Sequence, residues 1–167
     1  NTVLLESLGI SLGDIDNKFR EDLEEKFKIA SEGMKEPQEY GVPVTKKDTY
    51  WTFDTNPVFI PGAARKIAYI TDSRGYPEIR LINYDTGKTE TLVGSRNFDA
   101  VESIYAAGRG LSVSADASKL VFVGKKEQRD YIFIYDLDEK TLERMDCGIK
   151  IINSAEISPD GEKIYFV

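Results

Sequence analysis

Side-chain chemistry at neutral pH usually begins with histidine, and this 167-residue sequence contains none. That absence removes the Ser-His-Asp triad, the Cys-His pair, histidine-ligated zinc and the ordinary neutral-pH general base together. The one cysteine, Cys147, has no second thiol to join and no imidazole to activate it, so a small buried hydrophobe is its ordinary role. Carboxylates are plentiful. Glu21, Asp22, Glu24 and Glu25 form an acidic run, but nothing in the pattern turns a pair of them inward, and a solvated helix face accounts for it. Asp160 and Asp85 could ligate calcium, yet neither lies in a run of alternating oxygen ligands closed by a bidentate glutamate. Tyr50-Trp51-Thr52-Phe53 offers an aromatic platform, against which its strand-like alternation favours packing in a core. Lys125-Lys126-Glu127-Gln128-Arg129-Asp130 and Arg65-Lys66 read as hydrated hairpin tips. No catalytic, cofactor-binding or metal-ligating residue is assigned, no cofactor is expected, and the chain reads as non-enzymatic.

The charge balance narrows the partners. Lys and Arg number 22 against 29 Asp and Glu, a net charge of -7, which repels phosphate backbones, so no nucleic-acid partner is expected. Mean hydropathy is -0.36, and no apolar run approaches the roughly 20 residues that span a bilayer. No membrane insertion is expected. The sequence opens on Asn1-Thr2-Val3-Leu4-Leu5 without a leader and stops in the strand-forming Ile164-Tyr165-Phe166-Val167. It is expected to be an internal piece of a longer protein.

Local patterning divides the chain. Leu4, Leu5 and Leu8 fit the end of a helix closed by Gly9, and Ser11 with Asp14 forms an N-cap signature for a second helix, with Ile10 and Ile15 as a hydrophobic staple. Ile15, Phe19, Leu23 and Phe27 then recur at helical spacing, a stripe that needs a partner surface. Residues 1–40 hold five Lys/Arg and ten Asp/Glu, leaving 17 against 19 for the remainder. Gly33 to Pro43 carries two glycines and two prolines with little periodicity. The organisation predicted is a helical lead-in over 1–33, the tail of an upstream domain, then a linker and leading strand over 34–55, then a β domain over 56–167.

Within that domain a segment repeats. Val113-Ser114-Ala115-Asp116-Ala117-Ser118-Lys119-Leu120-Val121-Phe122-Val123 aligns without a gap on Ile157-Ser158-Pro159-Asp160-Gly161-Glu162-Lys163-Ile164-Tyr165-Phe166-Val167, an offset of 44. An earlier copy begins near Phe59-Ile60-Pro61-Gly62, with Ile67 matching Leu120 and Asp85 matching Asp138 at an offset of 53. The nine extra residues fall in Val93 to Gly110, read as an insertion loop. Each copy alternates apolar and polar residues between turns, as in Ile79-Arg80-Leu81-Ile82 and Ile132-Phe133-Ile134-Tyr135, which argues for strands over helices. Four short strands per copy at this period point to a β-propeller blade. In the Ser-Pro-Asp-Gly turn, Ser158 and Asp160 can bond backbone amides, Pro159 presets one dihedral and Gly161 supplies a positive φ.

Ser158-Pro159-Asp160-Gly161-Glu162-Lys163-Ile164-Tyr165-Phe166 resembles the repeats of TolB-like propellers, distant relatives of WD-repeat blades. Leu5 to Arg20 resembles the end of a gluzincin-type (peptidase MA clan) metallopeptidase domain, and Asn97-Phe98-Asp99-Ala100-Val101-Glu102-Ser103 resembles that group too. The resemblance implies a mainly β fold: an N-terminal helical hairpin, then blades near 56–95 and 111–148 and the start of a third at 155–167, an incomplete ring. It implies a non-catalytic propeller scaffold that docks proteins or peptides within a periplasmic or extracellular bacterial protein, whose zinc motif would lie upstream of Asn1. The alternative is the gating propeller of a prolyl-oligopeptidase-like serine hydrolase with its catalytic domain downstream. Because blades borrow stability from their neighbours, the expected partners include further blades or a second copy.

Overall fold

A computed structural model describes residues 9–45, 52–62, 65–94, 98, 101–106 and 110–167. The chain divides into two units, Asn1–Pro43 and Val44–Val167. In the first, helix α1 (Leu12–Ala30) starts on Ser11, whose side-chain oxygen accepts from the Asp14 N–H while the Asp14 carboxylate accepts from the Ser11 N–H, both at 3.1 Å. The i,i+4 pairs Arg20–Asp16 and Lys26–Asp22 brace its exposed surface. No residue of α1 is buried, and Phe19 and Phe27 of the apolar stripe are exposed. The helix predicted to end at Gly9 falls on residues outside those described. The predicted linker contains a further short helix, α2 (Pro37–Tyr40), because Pro37 suits the first helical position and Glu36 and Glu39 close a capping box around it.

The second unit is a stack of antiparallel sheets. Strands β1 (Asp54–Phe59), β2 (Lys66–Thr71), β3 (Glu78–Asn83) and β4 (Thr89–Val93) pair in chain order as the first sheet. The second sheet holds β5 (Ser103–Ile104), β6 (Leu111–Val113), β7 (Lys119–Lys126), β8 (Arg129–Asp136) and β9 (Leu142–Met145). The third is a hairpin of β10 (Ala155–Ile157) and β11 (Ile164–Phe166). The inner strands β1, β6 and β10 lie beside one another, and side chains stitch them. Asn56 Nδ2 donates to the Ala106 carbonyl at 2.7 Å across the first junction, and the Ile157 N–H donates to Ser112 Oγ at 3.1 Å across the second.

Alternation decides which residue enters which junction. Ala68, Ile70 and Ile79 of the first sheet meet Leu120, Phe122, Tyr131, Phe133 and Tyr135 of the second, where the Phe122 and Phe133 rings stack at 5.3 Å between centroids. The intervening residues Val121, Val123 and Ile132 turn the other way and meet Ile152, Ala155 and Ile157. The second sheet is thus apolar on both faces, which is why β7 and β8 read as unbroken apolar runs. Each large side chain removed from water there contributes about 1.5–3 kcal/mol.

Two boundaries differ from the sequence reading. The first sheet begins at Asp54, ahead of the predicted 56, and the second begins at Ser103, well ahead of 111. The described residues of the expected insertion loop are instead built into the core. Phe98, Val101, Ile104 and Ala106 pack in the first junction, and β5 pairs with the far end of β7 while β6 pairs with its near end. β5 thereby adds to the inner edge of the second sheet. Gly124 permits this pairing, since a Cβ there would lie 2.9 Å from the Ser103 carbonyl oxygen and 3.0 Å from the Phe133 ring.

The repeated turns close in the same way. Ser114 N–H donates to the Lys119 carbonyl and Lys119 N–H to Ser114 Oγ, both at 3.0 Å; Ser158 and Lys163 repeat this at 2.8 and 2.9 Å. The third turn residue is left-handed in both, Gly161 at φ 74° and Ala117 at φ 61°. Only the alanine carries a Cβ penalty there, about 1–2 kcal/mol before the backbone entropy of glycine is subtracted. Ala117→Gly should therefore stabilise the fold by about 0.5–1 kcal/mol and Gly161→Ala should destabilise it by about 1 kcal/mol. Urea midpoints at unchanged slope check both.

Candidate binding surfaces

The face of the first sheet turned away from the second is partly covered: Phe59 is exposed on it, whereas Tyr69 and Ile82 are buried. Phe59, Ile67, Tyr69 and Ile82 lie on it by the same alternation that sends Ala68 and Ile70 inward. With Val44, Thr45 and Pro57 they line a cavity of about 330 Å³, most of its wall apolar. A second cavity of about 280 Å³ continues it past Tyr69 and Ile82 to Thr71, Ser73, Arg80 and Thr89. At this polar end Glu78 is buried and accepts from Arg80 at 3.0 and 3.1 Å, with Arg74 at 3.9 Å from its other oxygen. Glu78 is thus paired with a cation, Asp54 lines both cavities with a carboxylate, and the apolar wall of the first cavity is fitted to hold an apolar face or side chain.

A second polar group is buried at the opposite junction. Asp130 is 2% exposed and its two carboxylate oxygens divide the work: Oδ1 accepts from the Tyr105 hydroxyl at 3.0 Å and Oδ2 from the Ile152 N–H at 2.9 Å. It thereby ties the segment leading to β10, and the segment after β5, to the start of β8. The sequence reading placed Asp130 in a hydrated hairpin tip; the tip is Glu127-Gln128, and Asp130 is already inside β8 on the face of Ile132. Its even-numbered parity with Ile132 and Ile134 was the available signal.

Several other residues singled out by type have structural partners. Asp85 holds Arg65 with both oxygens at 2.6 Å, which raises the guanidinium pKa. Asp22 pairs with Lys26 on the exposed face of α1. Asp160 accepts from Ser158 Oγ at 2.5 Å and the Glu162 N–H at 3.1 Å, and these bonds hold its carboxyl below the ordinary range. Asp116 is the same group in the preceding copy. The Ser114 hydroxyl first, then the Ser118 N–H and hydroxyl, lower its pKa to about 2. Cys147 packs against Val121, Val123 and their neighbours, and burial followed by the Asp146 charge raises its thiol pKa. Phe53, expected in a core, is exposed: it precedes β1 and is fastened by its backbone N–H to Asp72 Oδ1 at 2.8 Å, which leaves the ring at the surface. Tyr50 and Trp51 lie outside the described residues. Among the described residues no group of three His, Cys, Asp or Glu side chains is placed to hold a metal ion. No described helix is long and apolar enough to cross a membrane.

No family model and no curated protein sequence matches the chain. Solved structures do. TolB from Acinetobacter baumannii is 25% identical over 66% of this chain and 25% of its own, with a TM-score of 0.53. An acylaminoacyl peptidase from Pyrococcus horikoshii is 16% identical over 68% of this chain and 17% of its own, with a TM-score of 0.46. A prolyl endopeptidase structure is 13% identical over 70% and 19%, with a TM-score of 0.42. The likeness of fold rests on TolB, and this chain spans about a quarter of the TolB length. The arrangement of sheets is propeller-like.

Two substitutions test the buried carboxylate. Asp130→Ala leaves the Ile152 N–H buried without a partner and should lower stability by about 2–3 kcal/mol, while Tyr105→Phe should cost about 1 kcal/mol. Denaturant midpoints, together with faster amide exchange at Ile152 in the first variant only, check the division of roles. Asp116 is expected to titrate near its depressed value in the folded state. Its stabilising contribution is complete above the ordinary carboxylate pKa of about 4 and is lost as pH falls toward 2. Ser114→Ala should move the Asp116 carboxyl resonance midpoint upward in an NMR titration.

Proposed function

We propose that the chain is part of a β-propeller that acts as a non-catalytic docking scaffold for proteins or peptides within a larger bacterial envelope or secreted protein. One observation carries the reading: antiparallel sheets are laid face to face along the chain, with β1, β6 and β10 innermost and an apolar cavity on the outer face of the first sheet. Surfaces of this kind bind by burial and strand contacts, and they need no general base. The likeness to TolB supports the propeller part of the proposal. The scaffold role draws its support from the histidine-free sequence and from the apolar wall of the groove. A parent with an upstream zinc-metallopeptidase-like domain follows from the resemblance of Leu5 to Arg20 alone. A parent with a downstream serine-hydrolase domain would use the same propeller as a gate.

Translating the flanking coding sequence separates the two parents. His-Glu-x-x-His upstream is expected; Gly-x-Ser-x-Gly downstream would replace the first parent with the second. The purified chain should show no peptide hydrolysis that a chelator abolishes, and authentic chelator-sensitive turnover would end the scaffold reading.

A further inference from the structure

The outer face of the first sheet departs from the repeat. At the offset of 53, Glu78 and Arg80 stand where the second sheet has Tyr131 and Phe133, and those two rings are packed into the first junction. A buried ion pair is costly to cover with an apolar sheet in the way those rings are covered. Val44 and Thr45 also line both cavities on this face, so the segment leading into β1 already walls part of it. The concavity is formed by residues within 44–89, independently of the third sheet.

The charges at this face are unequal in their partners. Glu78 holds Arg80 at 3.0 Å and has Arg74 at 3.9 Å, and Asp72, one residue past the Asp54 partner Thr71, accepts the Phe53 N–H. Asp54 starts β1 and lines both cavities, and among the described residues its carboxylate has no ion pair and no hydrogen bond. Three carboxylates (Asp54, Asp72, Glu78) against two guanidinium groups (Arg74, Arg80) leave this end at -1. Neither Lys66 nor Lys88 is among the residues that line the two cavities. Beside the unpaired carboxylate lies the apolar cavity of about 330 Å³, walled by Pro57, Phe59, Ile67, Tyr69 and Ile82.

We propose that this concavity takes a lysine side chain, together with the apolar residue next to it, from a partner protein. The apolar residue fills the first cavity against Ile67 and Ile82. The lysine lays its methylene stem past Tyr69, which borders both cavities, and sets its ammonium on the Asp54 carboxylate. Charge complementarity selects this occupant. An acidic side chain would be repelled by Asp54, and a wholly apolar segment would desolvate that charge and leave it unpaired. The inference rests on the docking reading above and deepens it by naming what one partner must present.

The test uses the whole chain, isotope-labelled for NMR, and the capped dipeptide acetyl-Leu-Lys-amide. Saturable amide shifts at Asp54, Tyr69 and Ile82 are expected, with Phe122 and Phe133 in the first junction unmoved. Norleucine in place of the lysine keeps the stem and removes the charge, and should weaken binding about three- to fivefold. Glycine in place of the leucine should weaken it about tenfold or more. Asp54→Asn, at an exposed position without partners, should make the lysine and norleucine peptides bind alike. A preference for lysine that survives Asp54→Asn overturns the proposal, as does equal binding of the leucine and glycine peptides. No saturable binding by a chain whose Lys119 and Lys163 turn amides stay protected from exchange overturns this site alone and leaves the stacked-sheet reading standing.

Discussion

The burial of the second sheet on both faces is the constraint from which the rest of the β unit follows. A sheet covered on one side can show water a polar face; β7 and β8 have none to show, because Phe122 and Phe133 fill one junction while Val121, Val123 and Ile132 fill the other. Two neighbours are then obligatory, and each neighbour presents a further face that needs cover. The groove of the first sheet, lined by Ile67, Tyr69 and Ile82, lies on such a face.

Stacking alone does not set the register of one sheet on the next. That falls to a few polar groups at the inner ends and junctions. Asn56 occupies a bulge in β1 at φ 51°, a conformation that asparagine tolerates better than most residues, and its amide reaches the Ala106 carbonyl. Ser112 and Asp130 each accept a backbone N–H from the segment that forms the third sheet. A buried acceptor tolerates little movement of its donor, so these bonds hold apolar faces that could otherwise slide.

The helical unit obeys a different logic. Its cap, its i,i+4 ion pairs and its striped face are all local, and each forms without reference to the sheets. Local propensity can start and stop such a helix; it cannot by itself bury Phe19 or Phe27, which are exposed in this structure.

Much of this was written in the sequence because it depends on near neighbours. The Ser11 cap, the 44-residue repeat, the Ser158 turn and the unbroken apolar runs of β7 and β8 are short-range or periodic signals, and antiparallel sheets follow from them; that the second sheet has five strands and not the expected four does not. Tertiary structure alone decided the rest. The segment near Phe98, Val101 and Ile104 carries no turn-bounded periodicity, so it reads as a loop, yet it joins the core because Gly124 lets β5 approach β7. The Glu127-Gln128 turn has both residues at positive φ without glycine or asparagine, a conformation imposed by the long pairing of β7 with β8 on either side. Asp130 and the Glu78–Arg80 pair look like surface charges until the strands place them inside, since burial is a property of the neighbouring sheet and not of the residue. The groove likewise has no sequence signature of its own: it exists because alternation gives every strand a second face, and only packing decides how far that face is covered.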